Sequence, residues 1–505
     1  MKYIDDFLNK TAMYRLVLYV LIALETAAII FGFLGILPYG GLTMIFSAGF
    51  LVAVCLTANK IFARVFNVTA NIDSPDITSL ILALIITPGL SVAHLMFMFW
   101  AGVLAMAGKY IVTYNKRHVF NPAALAVAAT AVFAAQSASW WVGTSVMLPL
   151  VIIGGLLIVR KIRRADMLIS FLVTALATVI IGSLMKAGGQ ATVIANLKTT
   201  LLYTSLFFFG TIMLTEPLTT PPTRGRQIAY GGLVGILFAP QFHLGSFYFT
   251  PELALLAGNV FSFLVSPKDH LILKLKEKIQ LGPDIFDFVF APNKKLVFAA
   301  GQYLEWTLPV PKADSRGNRR YFTIASSPTE GEIRLGVKFY PEPSRFKDAL
   351  QSLKPNDQIV ASQLAGTFTL PRSKNEKLVM IAGGIGVTPF RSQIKYLIDQ
   401  GERRDIILLY SVKTASEIVY QDVFKEAENK IGLRTVLVLS DKTKVPENWP
   451  GEVGFIDEAM IKKHVPDFRE RTFYLSGPAA MVTAFEKLLK TIGTRKIKKD
   501  YFPGF

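Results

Sequence analysis

Gly383, Gly384 and Gly386 sit within the run Ala382-Gly383-Gly384-Ile385-Gly386-Val387-Thr388-Pro389. An apolar stretch, Leu378 to Ile381, leads into it, and a helical pattern, Phe390 to Leu397, follows. A strand that enters a glycine turn and then a helix is suited to holding phosphate. Glycines let the backbone approach a pyrophosphate, and the helix start offers unpaired N–H groups and the positive end of a dipole. Thr388 is placed to cap that helix, and Pro389 suits its first turn. A glycine turn alone is about as often an ordinary tight turn. Its weight here comes from what surrounds it.

Strand-like runs lie upstream at Leu271 to Leu275, Ile285 to Phe290, Tyr303 to Leu308 and Ile333 to Tyr340, separated by turn residues. They read as a small β-barrel over about 268–372. Pro343-Ser344-Arg345-Phe346-Lys347-Asp348-Ala349-Leu350 has the form of a short helix, with Ser344 as N-cap and Lys347 as a cation for phosphate. From about 375 strands alternate with helices. Ile406 to Tyr410, Thr435 to Leu439 and Phe473 to Leu475 are short apolar strands, with helical patterns at Gln421 to Ile431 and Met481 to Ile492. That alternation predicts a parallel sheet with helices on both faces.

Five segments in order resemble the ferredoxin-NADP reductase superfamily and cover nearly all of 268–505. They are Arg320-Tyr321-Phe322-Thr323-Ile324-Ala325-Ser326-Ser327-Pro328, the Ser344 helix, Leu364-Ala365-Gly366-Thr367-Phe368-Thr369-Leu370, the glycine turn, and Tyr474-Leu475-Ser476-Gly477-Pro478-Ala479-Ala480-Met481. The resemblance implies an FAD-binding β-barrel at 267–373 and a doubly wound α/β NAD(P)-binding domain at 374–505. Within Arg320-Tyr321-Phe322-Thr323, Arg320 would pair with the FAD pyrophosphate. Phe322 would face the flavin, and Thr323 would bond near flavin N5, where hydride arrives. Ser344 and Lys347 form a second phosphate site. Gly383, Gly384, Gly386, Thr388 and Pro389 would hold the dinucleotide. Ser476, Gly477 and Pro478 would lie beside the nicotinamide, with Ser476 where many members carry Cys. Phe505 or Phe502 would cover the flavin; a frayed apolar tail is the plain alternative. Thr323 and Ser476 are the candidate catalytic residues, and the chemistry is hydride transfer, which depends on stacking and orientation. Lys413 and Lys442 could meet a 2′-phosphate, but loop lysines are commonly just solvated, so NADH and NADPH both stay open.

The rest of the chain is of another kind. Of 505 residues, 52% are hydrophobic and 18% charged, too apolar for an ordinary soluble protein. Long apolar segments dominate up to about 265. Counting about 20 apolar residues per span gives about ten candidate helices, near 14–37, 42–59, 74–90, 92–109, 122–136, 145–159, 167–185, 199–214, 227–240 and 251–265. This predicts an all-α polytopic membrane bundle over 1–266. The net charge of +18 is not a nucleic-acid surface, because the cations sit in short loops: Lys60 and Arg64; Lys109, Lys116 and Arg117; Arg160 to Arg164; Arg224 and Arg226. With ten spans these loops share one side, the cytoplasmic one, with both termini and the nucleotide-binding half. The N-terminal stretch lacks the pattern of a secretory signal, so the first apolar segment is expected to remain as a helix of a multi-pass inner-membrane protein. Glu25 is the lone carboxylate well inside a span, and an intramembrane ionisable group is a functional candidate. Trp140 and Trp141 read as an anchor at the outer interface, with quinone stacking or electron relay as the alternative. Cys55 is the single cysteine, so neither a disulfide within the chain nor a cysteine-ligated cluster is available, and no metal site is expected.

Three polar interruptions stand out: Arg117-His118-Val119-Phe120-Asn121-Pro122-Ala123-Ala124, Thr215-Glu216-Pro217-Leu218-Thr219-Thr220-Pro221-Pro222, and Leu255-Leu256-Ala257-Gly258-Asn259. Each alone could simply start or end a helix. Together they resemble membrane subunits B and D of the sodium-pumping NADH:quinone reductase and Rnf complexes. The resemblance spans about 110–262 and implies a flavin site lined by Asn121 and Glu216. The family's Ser-Gly-Ala-Thr attachment element has no counterpart, so the flavin, riboflavin or FMN, is expected to be held noncovalently. His94, His118, His243, His270 and His464 do not form the stacked pairs that axial haem ligation needs. The expected activity is a membrane-bound NAD(P)H oxidoreductase. Hydride would pass to FAD on the cytoplasmic face, and electrons would cross the bilayer to a quinone or an extracytoplasmic acceptor. A redox-driven sodium or proton pump, or one subunit of a larger complex, is the alternative.

Overall fold

The computed structural model describes residues 7–8, 11–66, 73–114, 117–185, 189–266, 270–310 and 318–500. Phe502 and Phe505 lie outside them. The chain divides into two compact units, Met1–Ser266 and Pro267–Pro503.

The first unit is helical: α1 (Met13–Phe33), α2 (Gly41–Val65), α3 (Ser74–Ile85), α4 (Val92–Tyr110), α5 (Pro122–Ala134), α6 (Leu148–Ile162), α7 (Ala165–Met185), α8 (Gln190–Leu202), α9 (Leu206–Phe208, continued as a π turn to Met213), α10 (Arg224–Phe238) and α11 (Pro251–Val265). Each apolar segment read from the sequence holds a helix. Among the described residues, four (α1, α2, α4 and α7) are long and apolar enough to cross a membrane alone, or five if α8 and the segment after it, bent by 56°, act as one span. The expected ten spans exceed that number, because helices such as α3, α5 and α11 have only 12 to 15 residues. The apolar spans indicate membrane association.

Helix starts follow local chemistry. Ser91, Asn121 and Thr250 accept backbone N–H bonds from the first turns of α4, α5 and α11, and Pro122 and Pro251 occupy first-turn positions. Glycines set the closest helix pair. A Cβ on Gly235 of α10 would meet Thr174 Oγ1 at 2.1 Å and the Phe171 carbonyl oxygen at 2.5 Å on α7, and one on Gly231 would meet the Met167 carbonyl oxygen at 2.3 Å. Small residues let the two backbones approach this closely. Trp140 and Trp141 are not an interfacial belt. Both are buried, with Trp140 Nε1 donating to Glu252 Oε2 (3.0 Å) and Trp141 Nε1 to the carbonyl oxygens of Ala83 (2.9 Å) and Ile86 (3.0 Å). An indole N–H finds an internal acceptor when its ring is buried.

The second unit opens with an antiparallel barrel: β1 (His270–Gly282), β2 (Ile285–Pro292), β3 (Tyr303–Thr307), β4 (Arg319–Thr323), β5 (Ile333–Lys338), then helix α12 (Arg345–Gln351) and β6 (Gln358–Ala365). The strand order is β4-β3-β6-β1-β2-β5. Alternate residues point inward, among them Leu271, Leu273 and Leu275, and Leu304, Trp306 and Leu308. The closing strand lies earlier than Leu364 to Leu370. It ends at Ala365, because Gly366 turns the chain at φ +114° and Phe368 packs into the next core.

Next come β7 (Leu378–Gly383), α13 (Thr388–Gln400), β8 (Ile406–Val412), α14 (Gln421–Ile431), β9 (Arg434–Leu439), β10 (Glu452–Val453), α15 (Glu458–His464), β11 (Thr472–Ser476), α16 (Ala479–Thr491) and β12 (Ile497–Asp500). All pairings in this sheet are parallel, in the order β10-β9-β8-β7-β11-β12. The run of β7 splits between two cores. Leu378, Met380 and Ala382 face α13 and α14, while Val379 and Ile381 face α15 and α16. This is the doubly wound arrangement, with both faces buried.

Gly235→Leu should force α7 and α10 apart and lower the thermal unfolding temperature in detergent, with an overpacking cost of about 1–3 kcal/mol. Gly225→Ala, where nothing lies within 4 Å of the added Cβ, should leave that temperature unchanged.

Candidate active site

Strand β7 delivers the glycine turn to the carboxyl edge of the sheet. Gly384–Val387 form a 3₁₀ turn before α13. Gly384 takes φ +54°, a left-handed conformation, and nothing lies within 4 Å of where its Cβ would sit. Its backbone is therefore open to a ligand. Gly386 and Gly383 are needed for a different reason. A Cβ on Gly386 would meet Gly477 Cα at 2.5 Å, and one on Gly383 would meet Met481 Sδ at 2.3 Å, so the turns after β7 and β11 touch. Thr388 does not cap α13. It is the first helical residue and its hydroxyl donates to the Ile385 carbonyl oxygen (3.2 Å). Val387 holds the cap position and supplies no side-chain acceptor, which leaves the first N–H groups available, with Pro389 in the first turn.

A cleft of about 810 Å³ gathers Phe322, Thr323 and Lys347 from the barrel, Gly383, Gly384, Gly386 and Thr388 from the turn, Ser476, Gly477 and Pro478 from the end of β11, and Asp500 from β12. That volume suits a dinucleotide-sized ligand. Arg320, Tyr321, Ser344 and Pro389 are not on its wall. The Arg320 guanidinium lies 5.2 Å from the Phe346 ring, with Nη1 donating to the Arg319 carbonyl oxygen (2.7 Å). Ser344 caps α12 by accepting from Lys347 N (3.4 Å), and the Phe346 ring lies 5.9 Å from that of Phe322. Phe346 thus joins the arginine, the short helix and Phe322. Tyr321 turns to Glu305 Oε2 (2.9 Å) and Gln363 Oε1 (2.8 Å). These bonds tie β4 to β3 and β6. Lys347 Nζ donates to the Lys338 carbonyl oxygen (2.6 Å).

Two features escaped the sequence. Thr323 Oγ1 donates to Asp500 Oδ2 (3.2 Å), placing a carboxyl in the cleft beside the candidate catalytic hydroxyl. Burial pushes the Asp500 carboxyl up to about 7, and the Thr323 hydrogen bond opposes this. No spacing signal marks Asp500, because the Thr323 it meets lies 177 residues away in the barrel. The second feature is a set of three consecutive residues on α13 that bind the barrel. Arg391 Nη1 donates to the Ala325 carbonyl oxygen (3.0 Å) and Nη2 to Glu330 Oε1 (2.9 Å). Ser392 Oγ donates to the Ser326 carbonyl oxygen (2.6 Å), and Gln393 Nε2 to that of Phe368 (2.6 Å). Burial would raise the Glu330 carboxyl, but the Arg391 bond holds it below the ordinary range.

In the first unit the three polar interruptions converge. Glu216 accepts from Asn121 Nδ2 (2.9 Å) and Thr219 Oγ1 (3.3 Å) and bonds His118 Nε2 (3.0 Å). Asn121 N donates to Asn259 Oδ1 (2.8 Å), and Asn259 Nδ2 donates to the Tyr230 hydroxyl (3.2 Å). Asn121 and Glu216 border a cavity of about 70 Å³ with Lys109. Such a space holds about two waters and is far below the few hundred Å³ of a flavin-sized pocket. A flavin does not fit this space unless the surrounding helices part.

Residues 272–369 match the Oxidoreductase FAD-binding domain family, and residues 380–487 the Oxidoreductase NAD-binding domain family. The second unit is an FAD- and NAD(P)-binding oxidoreductase module. It is similar to the glycine betaine monooxygenase reductase subunit of Chromohalobacter salexigens (26% identity over 219 residues, 43% of this chain and 59% of that protein). It is also similar to NADH-cytochrome b5 reductase 1 of Aspergillus terreus (27% over 246 residues, 46% of this chain and 82% of that protein). Among solved structures, an Amycolatopsis cytochrome P450 reductase aligns at 26% identity and TM-score 0.42, covering 46% of this chain and 70% of that one. The chain spans about three fifths of the length of the glycine betaine monooxygenase reductase subunits it matches.

The module predicts a pH signature. Below about pH 7 Asp500 is neutral in the cleft. Above it, a carboxylate would stand beside Thr323, where a bound flavin would gain negative charge on reduction. Flavin reduction by NAD(P)H under rapid mixing should slow as pH rises through about 7, and Asp500→Asn should remove that inflection.

Proposed function

We propose that the chain is a membrane-bound NAD(P)H oxidoreductase whose second unit takes hydride from NAD(P)H and whose first unit places the redox centre at the bilayer. One observation carries this reading: Phe322 and Thr323 of the barrel face the glycine turn, Ser476 and Asp500 across a single cleft. FAD supplies a hydride acceptor that can release electrons one at a time. Every other role belongs to this chain. Arg320 and Ser344, just off the cleft wall, and Lys347 on it would hold the FAD phosphates, and Phe322 would face its ring. Gly383, Gly384 and Gly386, with the uncapped start of α13, hold the NAD(P)H pyrophosphate. Thr323 and Ser476 flank the path of the hydride and fix the nicotinamide against the flavin. Asp500 holds a proton next to Thr323. The basic loops of the first unit support a cytoplasmic placement of the module, a reading that needs the shorter apolar helices to cross the bilayer as well.

The acceptor we favour is a quinone, or an extracytoplasmic acceptor reached through the first unit. The Asn121–Glu216–Asn259 cluster supports this, because a buried polar network among apolar helices is retained where it serves a purpose. A noncovalent riboflavin or FMN beside Asn121 and Glu216 is part of the same proposal and requires those helices to open around it. A second reading is delivery to a partner protein. It is suggested by relatives named as a monooxygenase reductase subunit and a cytochrome b5 reductase.

Acid extraction of the detergent-purified chain, followed by chromatography, separates these readings. The membrane path predicts FAD plus a second flavin, the second lost in Asn121→Ala and Glu216→Ala while FAD stays. It also predicts NAD(P)H-dependent quinone reduction in proteoliposomes. FAD alone, with no quinone reduction, would favour a protein partner and contradict the membrane path.

A further inference from the structure

The cleft also carries information about which nicotinamide nucleotide it takes. In the sheet order β10-β9-β8-β7-β11-β12 the glycine turn on β7 divides the carboxyl edge into two sides. Ser476 on β11 and Asp500 on β12 lie on one side, with Thr323, and that is the nicotinamide end. A dinucleotide whose pyrophosphate rests on the glycine turn must extend its adenosine half over the ends of β8, β9 and β10. The cleft wall there presents Ser411 at the end of β8, Lys413 after it, Ser440 after β9, and Phe455 after β10. Phe455 is 81% exposed, a large ring left open on a ligand wall, as an adenine platform would be.

The charges at this end decide the issue. An NAD site offers a carboxylate to the ribose 2′-hydroxyl, whereas an NADP site replaces it with a cation for the 2′-phosphate. Glu417, the carboxylate on this side of the wall, is paired with Lys338 Nζ (2.8 Å). Asp441, next to Ser440, folds onto its own turn, accepting from Thr443 N (3.0 Å) and Thr443 Oγ1 (2.6 Å). Ser440, whose hydroxyl donates to the Val412 carbonyl oxygen (3.2 Å) and would turn to a phosphate, stands where a carboxylate would exclude one. Lys413 Nζ makes no hydrogen bond or close ion pair among the described residues, and the charge it faces is the Asp441 carboxylate, which it helps hold below the ordinary range behind the Thr443 bonds. Lys442 stands by Phe455, its Cε 3.5 Å from the Cβ position of Gly454.

We propose that the protein selects NADPH over NADH, with Lys413 and the Ser440 hydroxyl receiving the 2′-phosphate and Phe455 stacking on the adenine. This rests on reading the cleft as a nicotinamide-nucleotide site. The test is calorimetric titration of the full flavin-loaded chain in detergent with NADP⁺ and with NAD⁺, alongside anaerobic flavin reduction by NADPH and by NADH. NADP⁺ should bind roughly tenfold or more tightly than NAD⁺, the scale of one charge-assisted phosphate contact. Lys413→Ala should weaken NADP⁺ by about tenfold and NAD⁺ by less than about twofold, and Ser440→Asp should weaken NADP⁺ further through like-charge repulsion. Retained flavin and retained NAD⁺ affinity show that each variant is folded. NAD⁺ binding as tightly as NADP⁺, or Lys413→Ala weakening both alike, would overturn the proposal. If NADH then reduces the flavin, the function proposed above stands without it; if neither nucleotide binds or reduces the flavin, both fall.

Discussion

The contact between α13 and the barrel is the constraint on which the rest of the second unit depends. Hydride transfer needs two rings held at van der Waals distance, and the residues that would hold them come from two different sheets. Thr323 ends a barrel strand, whereas Ser476 and the glycine turn end strands of the parallel sheet. Arg391, Ser392 and Gln393 follow the glycine turn directly and fasten the same helix to Ala325, Ser326, Glu330 and Phe368. The element whose uncapped N–H groups would face a pyrophosphate is thus the element that fixes the inter-sheet distance. Arg391 and Glu330 form a largely buried ion pair, and breaking such a pair from one side costs about 3–5 kcal/mol. A guanidinium without its carboxylate would loosen the cleft before it unfolded either sheet.

The first unit follows a different logic. Its helices meet through glycines and through polar groups that satisfy one another, since lipid provides neither water nor a hydrophobic drive for helix association. Asn121, Glu216 and Asn259 come from three separate segments and meet in one network with His118 and Tyr230. Each would be costly alone among apolar helices. Together they leave the Asn121 backbone N–H, the Asn259 amide and the Glu216 carboxylate partnered.

Much of this was legible in the chain. The alternation in β1 and β3, the all-apolar runs of β7 and β8, and the glycine turn carry local periodicities that survive into the structure. So do the helices at Gln421–Ile431 and Pro122–Ala134. What stayed hidden depends on distance in sequence. Asp500 meets Thr323 across 177 residues, and Arg391 meets Glu330 across 61. No spacing rule reports either. Trp140 and Trp141 look like interface residues because composition cannot say which face of the bundle they turn to; packing against Phe209 and a bond to Glu252 bury Trp140. The expectation that Thr388 caps α13 failed because an extra 3₁₀ turn carries the chain past the cap position. The closing strand was placed too late because Leu364 to Leu370 is apolar throughout, although Phe368 belongs to the neighbouring core.

The most direct test of this account is anaerobic rapid mixing of the full flavin-loaded chain with NADPH or NADH carrying deuterium or protium at C4. The account predicts loss of the flavin absorbance band in a single fast phase, slowed by deuterium, because the cleft would hold C4 against the flavin. A flavin that stays oxidised with both nucleotides, or a reduction rate blind to the isotope at every concentration, would contradict it.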